Sequence, residues 1–262
     1  FMKFKNTFYS LLFIFFANAV IAETSEQYVV RSEFMFCNLN DGKTYQDVVA
    51  EQLPYENFLR EKGLKYNRLN LLPIWDNDAE YDYVMWGNWP DGMEQYKEWG
   101  AYLNDYPQWA SENGIPAQTA GECENYISMI NHGVFHIRTP QEDRDDRTFS
   151  DWRECKLKPN ADMAKLKSIF AKMEQAARDF GSEGIGIHFF TPYRGFQEEL
   201  PFDFLMMHHW YSAKDRAKGV EQWPEWRDYL ESTGLPRQRD MHIESCSRAD
   251  TYQMDFVFSS MN

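Results

Sequence analysis

Six histidines are the residues of this chain best suited to metal or proton chemistry, and five of them fall in segments patterned as strands. His132 and His136 lie four apart, so on a regular strand they face the same side. His208 and His209 are adjacent and must face opposite sides, one towards a helix layer and one away from it. His188 sits on a further strand. Imidazoles that converge at about 2.0–2.1 Å from a common centre make a zinc or copper site, and a single one can serve a haem. No HExxH or CxxC spacing accompanies them, so ordinary hydrogen-bonding or surface roles are the alternative. Asp82 and Asp203 occur in aromatic strands, where a buried carboxylate can act as a general base or hold a backbone amide. Tyr193 and Arg194 follow Pro192 at a strand end and could bind an anionic or phenolic ligand, or form a surface turn.

The elements that must position these groups occur twice. Cys37-Asn38-Leu39 returns as Cys155-Lys156-Leu157, and Tyr81-Asp82-Tyr83-Val84-Met85 as Phe202-Asp203-Phe204-Leu205-Met206. Trp89 returns as Trp210, Glu98-Trp99 as Glu225-Trp226, and Cys123 as Cys246. One such match is expected by chance; an ordered series implies duplication. The histidines are not duplicated. Their counterparts in the other copy are Asp255 and Ser259 for His132 and His136, and Leu69, Gly87 and Asn88 for His188, His208 and His209. Two similar scaffolds with unlike polar residues suggest one specialised pocket.

Each copy reads strand, helix, strand, strand, helix, strand. In the first, these are Val29–Cys37, Thr44–Glu61, Leu69–Trp75, Tyr81–Trp89, Met93–Leu103 and Tyr126–Ile137, with Pro54 kinking or restarting the first helix. In the second, they are Trp152–Leu157, Ala161–Phe180, Gly184–Pro192, Phe202–Tyr211, Ala213–Leu230 and Tyr252–Ser259. The expected division is 23–140 for the first repeat, 141–151 for a charged linker and 152–262 for the second repeat. A βαββαβ unit is the ferredoxin-like motif, whose last strand lies antiparallel beside its first. That places Cys37 near Cys123 and Cys155 near Cys246; the rival pairing joins equivalent cysteines across the repeats.

The pattern resembles the dimeric α/β-barrel superfamily of ferredoxin-like proteins, in a tandem fusion. The fold class expected is therefore α+β, with two βαββαβ repeats curling into one barrel covered by helices. The resemblance implies a pocket within or beside the sheet and, in the barrel, a last strand of one copy near the second strand of the other, which would bring His132 or His136 towards His188. Members include cofactor-independent monooxygenases and haem-dependent chlorite dismutase and dye-decolourising peroxidase relatives, so fold alone selects no activity.

Composition narrows the classes. The net charge of −14 and pI of about 4.9 disfavour nucleic acid as a partner. Lys3, Lys5, the apolar run Leu11–Phe16 and Val20-Ile21-Ala22 read as a signal peptide over residues 1–22, implying export to the periplasm or beyond and no membrane span after cleavage. An even number of cysteines fits that compartment. With aromatics at 17% of the chain, the leading expectation is a barrel that binds a small apolar or aromatic molecule. Ligand-site candidates are His132, His136, His188, His208, His209, Tyr193 and Arg194. The alternatives are an oxidoreductase of the barrel superfamily, cofactor-free or using haem or a transition metal, and an exported interaction module. Both a monomer and a homo-oligomer are compatible with a fused barrel.

Overall fold

The computed structural model describes residues 29–74, 79–196, 199–236 and 241–261. The expected signal peptide and the turn around Asp76–Asp78 lie outside the described residues. Nine strands and their helices follow in the order β1 (Val29–Leu39), α1 (Tyr45–Gln52), α2 (Pro54–Lys62), β2 (Asn67–Ile74), β3 (Tyr83–Trp89), α3 (Gly92–Asn104), α4 (Tyr106–Glu112), β4 (Gly121–Ile137), β5 (Arg147–Leu157), α5 (Met163–Phe180), β6 (Ile185–Arg194), β7 (Phe204–Trp210), α6 (Ala213–Glu221), α7 (Trp223–Thr233), β8 (Ile243–Cys246) and β9 (Asp250–Ser259).

The expected single helices of the first and second repeats are broken where proline enters. Pro54 starts α2 after α1, and Trp223-Pro224 starts α7 after α6. In both cases the pyrrolidine takes an early helical position, where its missing N–H costs nothing. Gly63, at φ 64°, then stops α2 in the left-handed conformation. The charged stretch expected as a linker gives way to strand earlier than anticipated, since β5 begins at Arg147 rather than Trp152. Its inner positions Thr148, Ser150 and Trp152 are buried, while Arg147 and Asp151 project outwards to Asp255 and Arg216. Charges on one face of a strand looked like a solvated loop.

Strand order is β4-β1-β3-β2 in the first copy and β9-β5-β7-β6 in the second. Pairings β2–β9 and β4–β6 join the two into a closed eight-stranded ring, to which β8 adds beside β5. This is the architecture of a dimeric α/β barrel made by one chain. Every neighbouring pair is antiparallel, so β1 and β5, four steps apart, run the same way. The approximate twofold relating the copies therefore runs along the barrel axis, and equivalent residues sit at the same barrel end. Disulfides join Cys37 to Cys123 and Cys155 to Cys246 at matching places. Asp82 accepts the amide of Leu39 at 2.8 Å, and Asp203 that of Leu157 at 2.7 Å; both carboxylates hold backbone rather than face a pocket.

Side chains fill the middle of the barrel. Phe34, Trp86, Trp152 and Phe190 pack with ring centroids 4.9–5.7 Å apart, backed by Leu71, Met129, Met207 and Met254. On the outer face, α5 packs Leu166 and Phe170 onto Val134, Phe135, Ile187 and Phe189. The first copy's outer layer is partly polar. Glu33, Arg68 and Glu98 are buried there with Tyr55 and Tyr66. Tyr66 donates to Glu33 at 3.2 Å, Tyr55 donates to Glu98, and Arg68 lies 3.8 Å from Glu33. Burial pushes the Glu33 carboxyl up to about 7 against the pull of Arg68.

Candidate metal centre

Strand alternation decides which histidines meet. On β6 the odd residues Ile187 and Phe189 face the helices, whereas His188 and Phe190 face the barrel interior. On β7 Met206 faces the helices and Met207 the interior, so His209 points in and His208 out. On β4 the interior residues are Met129 and Asn131, which would leave His136 pointing out. A β-bulge intervenes: Gly133 pairs with His188 and Phe135 with Ile187, leaving Val134 as the extra residue. The bulge reverses the alternation, as inserted residues do, and turns His136 inwards.

Register then places His136 opposite Gly186, and Gly186 opposite His209. The glycine supplies the space between two imidazoles. A Cβ at Gly186 would lie 2.0 Å from Nε2 of His209. His188 follows two residues along β6 on the same face. Ring centroids are 4.7 Å apart for His136–His188, 5.2 Å for His188–His209 and 6.3 Å for His136–His209. One nitrogen from each of the three rings lies within 4.8 Å of the others.

Surrounding groups orient the rings. Nδ1 of His188 is 2.9 Å from Oδ1 of Asn131. An amide oxygen accepts only, so Nδ1 carries the proton and Nε2 keeps its lone pair. Nδ1 of His209 is buried with no hydrogen-bond partner. Burial holds all three below the usual histidine range: His188 well below it, His209 at about 3 and His136 at about 4. Neighbouring cations add to this, Arg138 and Arg178 for His136 and Arg144 for His209. At neutral pH the site presents three uncharged imidazoles, the form that ligates a metal. The equivalent place in the first copy holds Asn67, Asn88 and Ser259 in the same cross-strand row. The barrel end is thus polar on both sides but imidazole-bearing on one.

The other candidates lie elsewhere. His132 does not share a face with His136, contrary to the regular-strand reading, because the bulge lies between them. It pairs with Phe189 on the helix side and contacts Thr191 Oγ1 at 3.2 Å. His208 faces outwards opposite Asp151. Tyr193 and Arg194 stand at the far end of β6, where Arg31 stacks 4.3 Å above the Tyr193 ring and Arg194 lies 5.1 Å from it. The sequence reading missed Asn131 and Gly186. It also missed the bulge, although a glycine inside a strand pattern, here Gly133, is a bulge signal.

The closed ring of two four-stranded ferredoxin-like sheets defines a dimeric α/β barrel within one polypeptide. No protein-family model and no curated sequence matches the chain. Among solved structures it is similar to chlorite dismutase from Candidatus Nitrospira defluvii in complex with imidazole, at 11% identity over 87% of this chain and 92% of that one, TM-score 0.45. It is also similar to an anthrone oxidase-like protein, at 12% identity over 89% and 95%, TM-score 0.45.

Proposed function

We propose that this protein is an exported barrel that binds one borderline transition metal through His136, His188 and His209. On that reading, its activity is metal-dependent chemistry on a small molecule at the remaining coordination position. The observation that carries the proposal is the convergence of three neutral imidazoles, two buried and one half-buried, from three strands around a glycine. Three uncharged nitrogens suit zinc, copper, nickel or iron rather than calcium or magnesium, which take oxygen. A three-histidine set leaves the fourth position of a tetrahedral ion to a ligand from outside the protein, the pattern of a catalytic rather than a structural site. Ligand nitrogens around a tetrahedral ion stand about 3.3 Å apart for bonds of about 2.0–2.1 Å. A bound ion would have to draw the nitrogens in from their present spread of up to 4.8 Å.

Both cysteine pairs within bonding distance support an oxidising compartment. Among the described residues, no helix is long and apolar enough to cross a membrane. The metal reading belongs with the oxidoreductase alternative of the barrel superfamily. A second reading, capture of an apolar or aromatic molecule, draws support from a groove of about 610 Å³ at the barrel, lined by Phe36, Tyr81 and Tyr252 among acidic and amide neighbours.

Equilibrium dialysis against Zn²⁺ and Cu²⁺ tests the proposal. The parent protein should take up one equivalent of metal tightly. His188→Gln should lose about 100-fold or more in affinity while keeping its circular dichroism spectrum. Equal uptake by parent and variant would remove the proposal.

A further inference from the structure

Three neutral ligands leave the charge of a divalent ion uncompensated inside the barrel. An uncompensated charge in a low-dielectric interior draws a counter-charge to itself. Among the described residues no carboxylate belongs to the histidine cluster, so the counter-charge comes from outside the ligand set, as hydroxide formed from bound water or as an anion that enters the site.

The rim of the cluster is built to meet it. Tyr211 packs edge-on against His209 with centroids 4.9 Å apart. The guanidinium of Arg144 lies 4.8 Å above the Tyr211 ring, and Arg138 lies close enough for its charge to act on both Tyr211 and His136. Arg144 is braced by neutral acceptors, the Thr139 carbonyl at 2.8 Å and Gln141 Oε1 at 2.7 Å. Neither Arg138 nor Arg144 forms an ion pair among the described residues. Three of the acids nearby are otherwise engaged, while Glu142, Asp143 and Asp146 lie beside Arg144 along the chain. Glu174 pairs with Arg178 at 2.6 Å, Asp215 accepts from Thr139 and Ser212, and Asp145 accepts the amide of Ala213. The cationic rim and the unneutralised centre therefore act in the same sense.

We infer, resting on the metal reading above, that the ligand or substrate of the centre is a small monoanion, admitted past Tyr211 and held by Arg138 and Arg144. The anion completes the coordination of the metal, and the guanidiniums bind its outer atoms by charge-assisted hydrogen bonds. A neutral apolar substrate would leave the rim charges unmatched.

Copper-loaded protein titrated with azide, followed by the azide-to-copper charge-transfer band, tests this. Azide stands in for the monoanion. Arg138→Gln/Arg144→Gln should bind azide about tenfold or more weakly. Its Cu²⁺ affinity should be unchanged or tighter, because two repelling cations have gone. A merely damaged barrel would lose both affinities, which overturns the assignment of these arginines to the anion. Azide affinity within about twofold of the parent, or bound copper with no azide band, overturns the inference alone. Failure of the parent to bind copper overturns the metal reading and this inference with it.

Discussion

Gly186 is the residue at which the fold and the centre meet most tightly, and Gly186→Ala exposes that dependence. A methyl there would stand 2.0 Å from Nε2, 2.7 Å from Cδ2 and 2.9 Å from Cε1 of His209. Ordinary contact between such atoms is about 3.5 Å, so the ring must retreat by about 1.5 Å. Metal–nitrogen distances tolerate about 0.2 Å, so His209 is lost as a ligand. Metal affinity should fall about 100-fold or more. Overpacking of a buried strand should cost about 1–3 kcal/mol. Urea denaturation of the apoprotein and Co²⁺ titration by visible absorption measure the two effects separately. Gly186→Ala/His209→Ala relieves the clash, so it should recover stability without recovering metal affinity. If Gly186→Ala binds Co²⁺ as the parent does, His209 does not reach the metal across this glycine and the site is wrongly built.

Three further outcomes follow from the structure. His132→Gln should leave metal affinity within about twofold of the parent, whereas His136→Gln should lower it about 100-fold; equal effects in dialysis would mean the β4 bulge does not separate the two. Glu33 holds a proton in the folded chain between its ordinary 4.5 and about 7 that the unfolded chain has released. The Glu33 contribution to stability should therefore fall by about 3 kcal/mol as pH rises through that window, while the depressed histidines give parent and variant the same opposite slope; the difference in urea stability between parent and Glu33→Gln should change by that amount, and a pH-independent difference would refute this assignment. Reduction of the two disulfides, which span 86 and 91 residues, should cost about 4–5 kcal/mol for each on chain entropy; thermal melts with and without reductant measure it, and an unchanged midpoint would contradict the estimate.

Most of the barrel was legible because duplication repeats the same local signals. Cysteine positions, aromatic third strands and the unlike histidines each appear in the chain as spacing. Adjacency alone required His208 and His209 to diverge, and they do. The centre itself was half legible. His188 approaches His136 because β6 pairs with β4, which the superfamily pattern implied. The choice of His136 over His132 depended on one unpaired residue, Val134, whose effect on alternation has no counterpart in side-chain type. Gly186 acts through absence of a side chain, and Asn131 through a register that emerges only when the two copies join. The start of β5 was hidden because its outer face carries Arg147, Asp151 and Arg153, which in a linear reading are indistinguishable from a solvated connection.

The central claim is that three imidazoles from β4, β6 and β7 share one metal ion. Crystals of protein soaked in Zn²⁺ or Cu²⁺, with data collected on both sides of the metal's absorption edge, address it directly. The account predicts one strong anomalous peak inside the barrel, about 2.0–2.1 Å from a nitrogen of each of His136, His188 and His209. Peaks confined to surface carboxylates, or a peak coordinated by His132 or His208 instead, would contradict it.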